Sequence, residues 1–474
     1  MRNQSLQSAS YDSGLRRWVC YSQIEAAGIP VRAITGLVCR RRLRYLSALY
    51  LIALLLLSSH PVAITRAATP VDTGYQNFNF GSDCDSTPTG EKPESKLWFH
   101  DGFWWGSLCR DGTYRIHRLD LATQDWLDTG TALDDRPNAK ADILWDESAQ
   151  KLYVASHIFA DIGALQSSPV NWGRLYRYSY NASTKRYRLD SGFPVTITQG
   201  WSETLTIDKD TTGKLWVTYV ESRNVMLNHS RNGNDADWGT PYVLPVAPAT
   251  GLRNDDISSL ISFSGQIGVM WSNQNTGIMY FATHQDSDLD AQHWQSVSAY
   301  NPGGPGADDH IHLKSLQSDD AGRVFAVTKT SFSGSQPGIV LLVCTNTPCT
   351  MASNWQAHTV YRAQDNDTRP ILLIDQDARK LHVFTGNTGA VGQIDYKSSD
   401  LDTVNFPVGE GQPFIKNSND NDINNPTSTK QNVNSSTGIV VLASSGTTRY
   451  YYHNYLSLSE SDALRLYLPL IHNP

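Results

Sequence analysis

The chain has 474 residues, is 18% charged and 10% aromatic, and carries a formal net charge of −7 at pH 7. Residues 1–68 hold nine Lys and Arg against two Asp and Glu, which leaves 30 against 44 beyond them, a net of −14. An acidic surface of that size argues against nucleic acid as a partner, because phosphate binding needs concentrated Lys and Arg.

Arg40, Arg41, Arg42 and Arg44 precede an apolar stretch, Tyr45–Leu57, and small residues follow it. A basic segment, a 13-residue apolar core and small residues describe a secretory signal. The core is short of the roughly 20 residues a membrane span needs, although an uncleaved anchor is the alternative. Residues 1–68 are therefore read as a leader, 74–458 as one folded domain and 459–474 as a short tail. The expected product is secreted or at the cell surface, a monomer, with no membrane span after processing.

Cys20 and Cys39 fall in the leader. Cys344 and Cys349 flank a tight turn, "TNTP", and predict a local disulfide, with Cys84 and Cys109 as the other pair.

Seven segments repeat one pattern: a short apolar strand, a polar turn, then a second strand. The second strands begin at Phe103, Leu152, Leu215, Ile267, Val324, Leu381 and Ile439, about 56 residues apart. A third strand follows each pair. An aromatic marker (Trp126, Tyr187, Trp238, Trp294, Trp355, Phe406) then heads a fourth strand in six of them. Four short strands rich in Val, Ile, Tyr and Trp cannot bury both faces alone, but radial stacking can. The pattern predicts an all-β fold, a seven-bladed β-propeller of four-stranded antiparallel blades, with six blades as the alternative. The seventh repeat lacks a fourth strand, and "GYQNFNF" (residues 74–80) is predicted to close the ring.

The innermost strands line the axis, so the residues leading into them face the usual ligand site. Those lead-ins contain Lys140, Trp201, Glu203, Asp256, Asp309, His310, Arg369 and Asn425. His310, His312 and Lys314 share one side of a strand by alternation. With Arg369 and Lys430 from the next two blades they predict a basic funnel suited to a carboxylate or sulfate on a sugar. The competing expectation is that these polar groups bond neighbouring blades. Asp286, Asp288 and Asp290 in "DSDLD" have the opening spacing of a calcium loop but lack its glycine and its final Glu. Calcium at that loop, or at "NDND" (Asn419–Asp422), would be structural. No metal is expected at the funnel, and no zinc signature is present.

On these features the chain resembles sialidase-like, BNR-repeat propellers. Their Asp-box is degenerate here: "SRNGNDADWGTP" and "HQDSDLDAQHWQS" keep acidic turn residues and the Trp. "DDHIH" (residues 308–312) is similar to the "DDH-N" inner-strand signature of seven-bladed carbohydrate-active propellers such as ulvan lyases, with His312 where an amide is usual. The resemblance implies a secreted polysaccharide lyase or glycosidase acting on an acidic glycan in the axial funnel. His310 or His312 would be the base, and Arg369, Lys314 and Lys430 would neutralise a uronate carboxylate. Lys140, Glu203, Asp256, Trp201 and Asp309 would complete substrate binding, with Glu203 and Asp256 the carboxylates available to a hydrolase. A non-catalytic glycan- or protein-binding propeller is the alternative.

Overall fold

The computed structural model describes residues 68–459, apart from 91, 137, 160–167, 317–318, 320, 388 and 390–391. The leader and the tail lie outside the described residues, but for Ala68 and Ser459.

Seven antiparallel sheets succeed one another along the chain. Their second strands are Phe103–Arg110, Lys151–Ile158, Leu215–Glu221, Gln266–Asn273, Val324–Lys329, Lys380–Asn387 and Ile439–Ser445. Each starts within one residue of the position that the repeat marks. The strand-to-strand turns need left-handed backbone. At Asp111-Gly112 both residues have positive φ (51° and 74°), the type I′ geometry that matches the twist of a two-residue hairpin.

Each blade buries both faces, so its middle strands read as apolar runs rather than alternating ones. In "VFAV" (324–327), Val324 and Ala326 join the cluster with Phe263, Met270 and Phe281 of the fourth blade. Phe325 and Val327 point the other way and pack with Leu372, Ile374, Leu381 and Val383 of the sixth. Period-two alternation thus sends successive side chains to opposite neighbouring blades.

The seventh blade is made from both ends of the described chain. Its strands Ile423–Thr427, Ile439–Ser445 and Tyr450–Leu456 are completed by Tyr75–Asn79, which pairs with Tyr450–Leu456 in the register Tyr75↔His453 and Gln76↔Tyr452. The N-terminal strand closes the ring as the sequence predicts. His453 locks the junction, sharing a hydrogen bond with Asn77 Oδ1 (2.6 Å) and another with Gln124 Oε1 (2.9 Å). Both expected disulfides form, Cys84–Cys109 and Cys344–Cys349. Among the described residues no helix is long and apolar enough to cross a membrane.

Loop crossings between blades are tight. Gly277 has φ 69°, and a Cβ there would meet the carbonyl oxygen of Gly304 at 2.0 Å. Gly277→Ala is expected to destabilise the protein by more than about 1 kcal/mol, read as a lower midpoint in urea.

Candidate functional site at the funnel mouth

The inner strands present the same ends to one face of the ring, and the segment between the closing strand and the first blade crosses that face. Residues 81–90 and 92–96 belong to this strap, which the Cys84–Cys109 bridge ties to the first blade. Lys140, in the second blade, binds Asp85 and the Thr87 carbonyl. Thr89 Oγ1 meets Ser444 Oγ of the seventh blade at 2.8 Å. Lys92 makes ion pairs with Glu203, ahead of the third blade, and with Asp309, ahead of the fifth. Glu94 Oε1 accepts from His157 Nε2 (2.6 Å) of the second blade and from the backbone N–H of Leu205 (3.0 Å), while its Oε2 takes Lys96 at 2.6 Å. The sequence repeat gave no sign of the strap, since it belongs to no blade.

Burial alone would raise the Glu94 carboxyl, but Lys96 and His157 outweigh it and bring it down to about 2. A carboxyl depressed in the fold lends stability that is complete above its ordinary value near 4.5 and is lost as pH falls toward 2. Urea midpoints are therefore expected to fall between pH 5 and pH 2, and Glu94→Gln is expected to flatten that part of the curve.

At the mouth, His310 is 5% exposed and faces two carboxylates. Its Nδ1 lies 2.7 Å from Asp308 Oδ1 and 2.7 Å from Asp309 Oδ1. Both are acceptors, so the network assigns the proton to Nδ1 and leaves Nε2 as the basic nitrogen, 3.4 Å from Thr368 Oγ1. Asp308 Oδ2 accepts from Lys329 Nζ and from Ser331 Oγ, each at 2.9 Å. Burial pushes Asp309 upward, but His310 and Lys92 outweigh it and hold its carboxyl far below the usual range. The ligand atoms of Asp308, Asp309 and His310 converge closely enough for a metal ion. They carry their own counter-charges in Lys329 and Lys92, and we assign no cation to them.

Arg369 follows Thr368 in the chain. It has φ 49° and precedes Pro370, at an irregularity in the strand Asp367–Asp375. A non-glycine residue in left-handed backbone is strained, and the strain persists only where the surroundings over-determine it. Among the described residues no carboxylate lies within ion-pair distance of its guanidinium, and its Nε is buried without a hydrogen-bond partner. Asp367, two residues earlier, is pushed by burial up to about 7, and its Oδ2 is likewise buried without a partner.

Other expected site residues fall elsewhere. His312 Nδ1 accepts the backbone N–H of Leu372 in the sixth blade at 3.2 Å, so the lone pair a base needs is already engaged. Burial, then Lys314 and Lys430, hold it well below its ordinary value. Lys314 is 2% exposed and donates to the Thr429 carbonyl; burial and the nearby Lys430 lower it strongly. Lys430 Nζ binds Asp142 Oδ2 at 2.8 Å. Asp142 also accepts from the backbone N–H groups of Ser95 (2.8 Å) and Ile207 (2.9 Å). These groups fill the channel below the mouth and join blades to one another, and so does Lys140, 1% exposed and held by the strap. The expected single basic funnel is thereby split, since Lys140 and Lys430 pair with Asp85 and Asp142 and Lys314 is buried against the Thr429 carbonyl. Asp256 is buried and caps a loop through the N–H groups of Arg253 (2.7 Å) and Gln274 (3.0 Å). Trp201 is partly buried near Glu203, its Nε1 without a partner. In the acidic loops, Asp286 holds Thr211, Asp288 holds His293, and Asp420 holds Ser445 and Tyr452.

No family model and no curated protein sequence matches the chain. Among solved structures it is similar to an ulvan lyase of polysaccharide lyase family 25, at 11% identity over 83% of this chain and 100% of that one, with a TM-score of 0.48. It is also similar to polysaccharide lyase Uly1 (11% identity, 84% and 96% covered, TM-score 0.45). The NanB sialidase of Streptococcus pneumoniae is a third (13% identity, 83% and 71% covered, TM-score 0.40). The family 25 lyase has also been solved with -[GlcA(1-4)Rha3S]- bound. At these identities the likeness concerns the fold, and the reading of the site rests on its own geometry. By architecture the chain is a seven-bladed β-propeller, distantly similar to carbohydrate-active propellers of the sialidase and ulvan-lyase type.

Proposed function

We propose that this chain is an exported polysaccharide lyase that cleaves a uronate-containing glycan at the mouth of the propeller. The observation that carries the proposal is the setting of His310, oriented by Asp308 and Asp309, with Arg369 adjoining the residue its Nε2 meets. His310 offers an imidazole whose Nδ1 is held by two carboxylates and whose Nε2 meets Thr368 Oγ1 at 3.4 Å. Arg369, the next residue in the chain after Thr368, offers a guanidinium with no ion-pair partner among the described residues. Elimination needs those two functions: a base for the proton beside the carboxylate, and a cation that neutralises the carboxylate and stabilises the developing enolate. Arg369 serves the second, with a planar fork suited to a carboxylate. His310 serves the first, its tautomer set by Asp308 and Asp309. Trp201 offers an apolar face to a sugar ring. The two disulfides fit an oxidising compartment, and the net charge of −14 beyond the leader makes a local cation the selective feature for an acidic polymer.

Hydrolysis is the less favoured chemistry. Glu203 and Asp309 are the carboxylates from different blades that the Lys92 ammonium brings together, and it occupies the space between them. A glycosidase pair needs that space for the glycosidic oxygen or a water, and needs one member protonated, whereas Asp309 is held ionised. A second reading, a non-catalytic glycan-binding propeller, draws on the strap and on the bond from His312 to the next blade, which close much of the axis.

Incubation with a panel of uronate polymers, including a glucuronate–rhamnose-3-sulfate repeat, tests the proposal. Absorbance from new unsaturated ends is expected on at least one of them. Retained binding without absorbance on any polymer would favour the second reading.

A further inference from the structure

One cation at the mouth takes no direct part in the proposed reaction. Lys92 comes from the strap rather than from a blade, yet it joins the lead-ins of the third and fifth blades, on either side of the fourth, through Glu203 and Asp309. Asp308, the first carboxylate on His310, is fixed by Lys329 and Ser331 from its own blade. Asp309, the second, is held by no Lys or Ser of its own blade among the described residues; its outer oxygen is taken by Lys92.

We infer that Lys92 is a positioning residue: it clamps Asp309 to Glu203 so that Asp309 keeps the Nδ1–H of His310 and leaves Nε2 to act as the base. The inference rests on the reading of His310 proposed above. The strap is then a working part of the site as well as a cover, because the base is correctly set only when the strap is seated.

The groups that face His310 determine the sign of the effect. Asp308 and Asp309 come from its own segment, with Lys329 behind Asp308. Lys92 comes from the strap and Glu203 from the lead-in of the third blade, both behind Asp309, and Thr368 comes from the sixth blade, between Asp367 and Arg369 in the chain. Removing the Lys92 charge subtracts one cation and leaves two carboxylates uncompensated, so the imidazolium is favoured. The base then stays protonated to a higher pH, by about one unit for a charge at this remove.

The test titrates the ring nitrogens of His310 by NMR in the full-length protein and in Lys92→Met and Lys92→Arg variants, with His310→Asn to assign the signals. Lys92→Met is expected to move the midpoint up by about one unit and to move the acidic limb of kcat/KM on the most active polymer with it. Lys92→Arg is expected to restore both. Lys92→Gln gives the same comparison if the Met variant is poorly folded. A Lys92→Met titration that superimposes on the wild type would overturn the inference. A His310→Asn protein that keeps its turnover would instead overturn the assignment of the base, and the titration separates those two failures.

Discussion

Replacing His310 with Asn is expected to lower kcat on a uronate polymer by about 10²–10⁴-fold, the usual contribution of a positioned general base. Asn keeps a short polar group in the position between Asp308 and Thr368 but has no nitrogen that can take a proton near neutral pH. The fold should tolerate the change, because the blade is held by the pairing of Ile311–Ser315 with Val324–Lys329 and by apolar packing on both faces. Polymer binding should persist, since Arg369 remains. Arg369→Ala is the complementary case: it removes the carboxylate partner and should weaken binding as well as turnover. Arg369→Lys recovers only part, a point charge replacing a planar fork. Initial rates over a range of polymer concentration separate the two patterns. Equal kcat in wild type and His310→Asn would remove the histidine from the mechanism.

Asp142→Ala is expected to cost about 3–5 kcal/mol of stability, the range for breaking one side of a buried ion pair. Asp142 is fully buried and serves several parts of the ring at once. It takes the Lys430 ammonium from the seventh blade, the N–H of Ser95 from the strap and the N–H of Ile207 from the third blade. The Ala variant leaves a cation and two backbone donors unpaired in the channel. Lys430→Met in the same background should recover part of the loss by removing the stranded charge, while the two N–H groups stay unsatisfied. Urea denaturation of the single and double variants measures both effects. Additive losses would show that Asp142 and Lys430 do not act as a pair.

The ring was legible because its repeat is written twice, in the second strands and in the aromatic markers. The observed second strands start within one residue of the expected positions. Ring closure was legible for a simpler reason: the seventh repeat lacked a strand and a spare one stood at residues 74–80. The site was harder. Alternation correctly gave His312 and Lys314 a common side, but it does not distinguish a group at the mouth from one deeper along the strand. His310, at the lead-in, stays at the mouth, whereas Lys314, four residues on, is buried under Thr429. Partners drawn from other blades and from the strap decide which charges are spent, and a linear sequence does not show them. Lys430 finds Asp142, and Lys140 finds Asp85. The strap was missed because it has no periodicity, although its polar, proline-containing stretch "TPTGEKPES" beside Cys84 was the available signal. Arg369 looked like one basic residue among several. Its left-handed backbone before a proline and its lack, among the described residues, of a carboxylate partner set it apart, and only the folded chain shows them.

The central claim is that the mouth of this propeller breaks a uronate-containing glycan by elimination. Mass spectrometry of products formed in ¹⁸O-labelled water tests it most directly. Elimination adds no water, so the account predicts an unsaturated, unlabelled uronate at each new non-reducing end, absent in His310→Asn. A saturated product carrying ¹⁸O would mean hydrolysis, and intact polymer would mean binding without cleavage; either result would contradict the account.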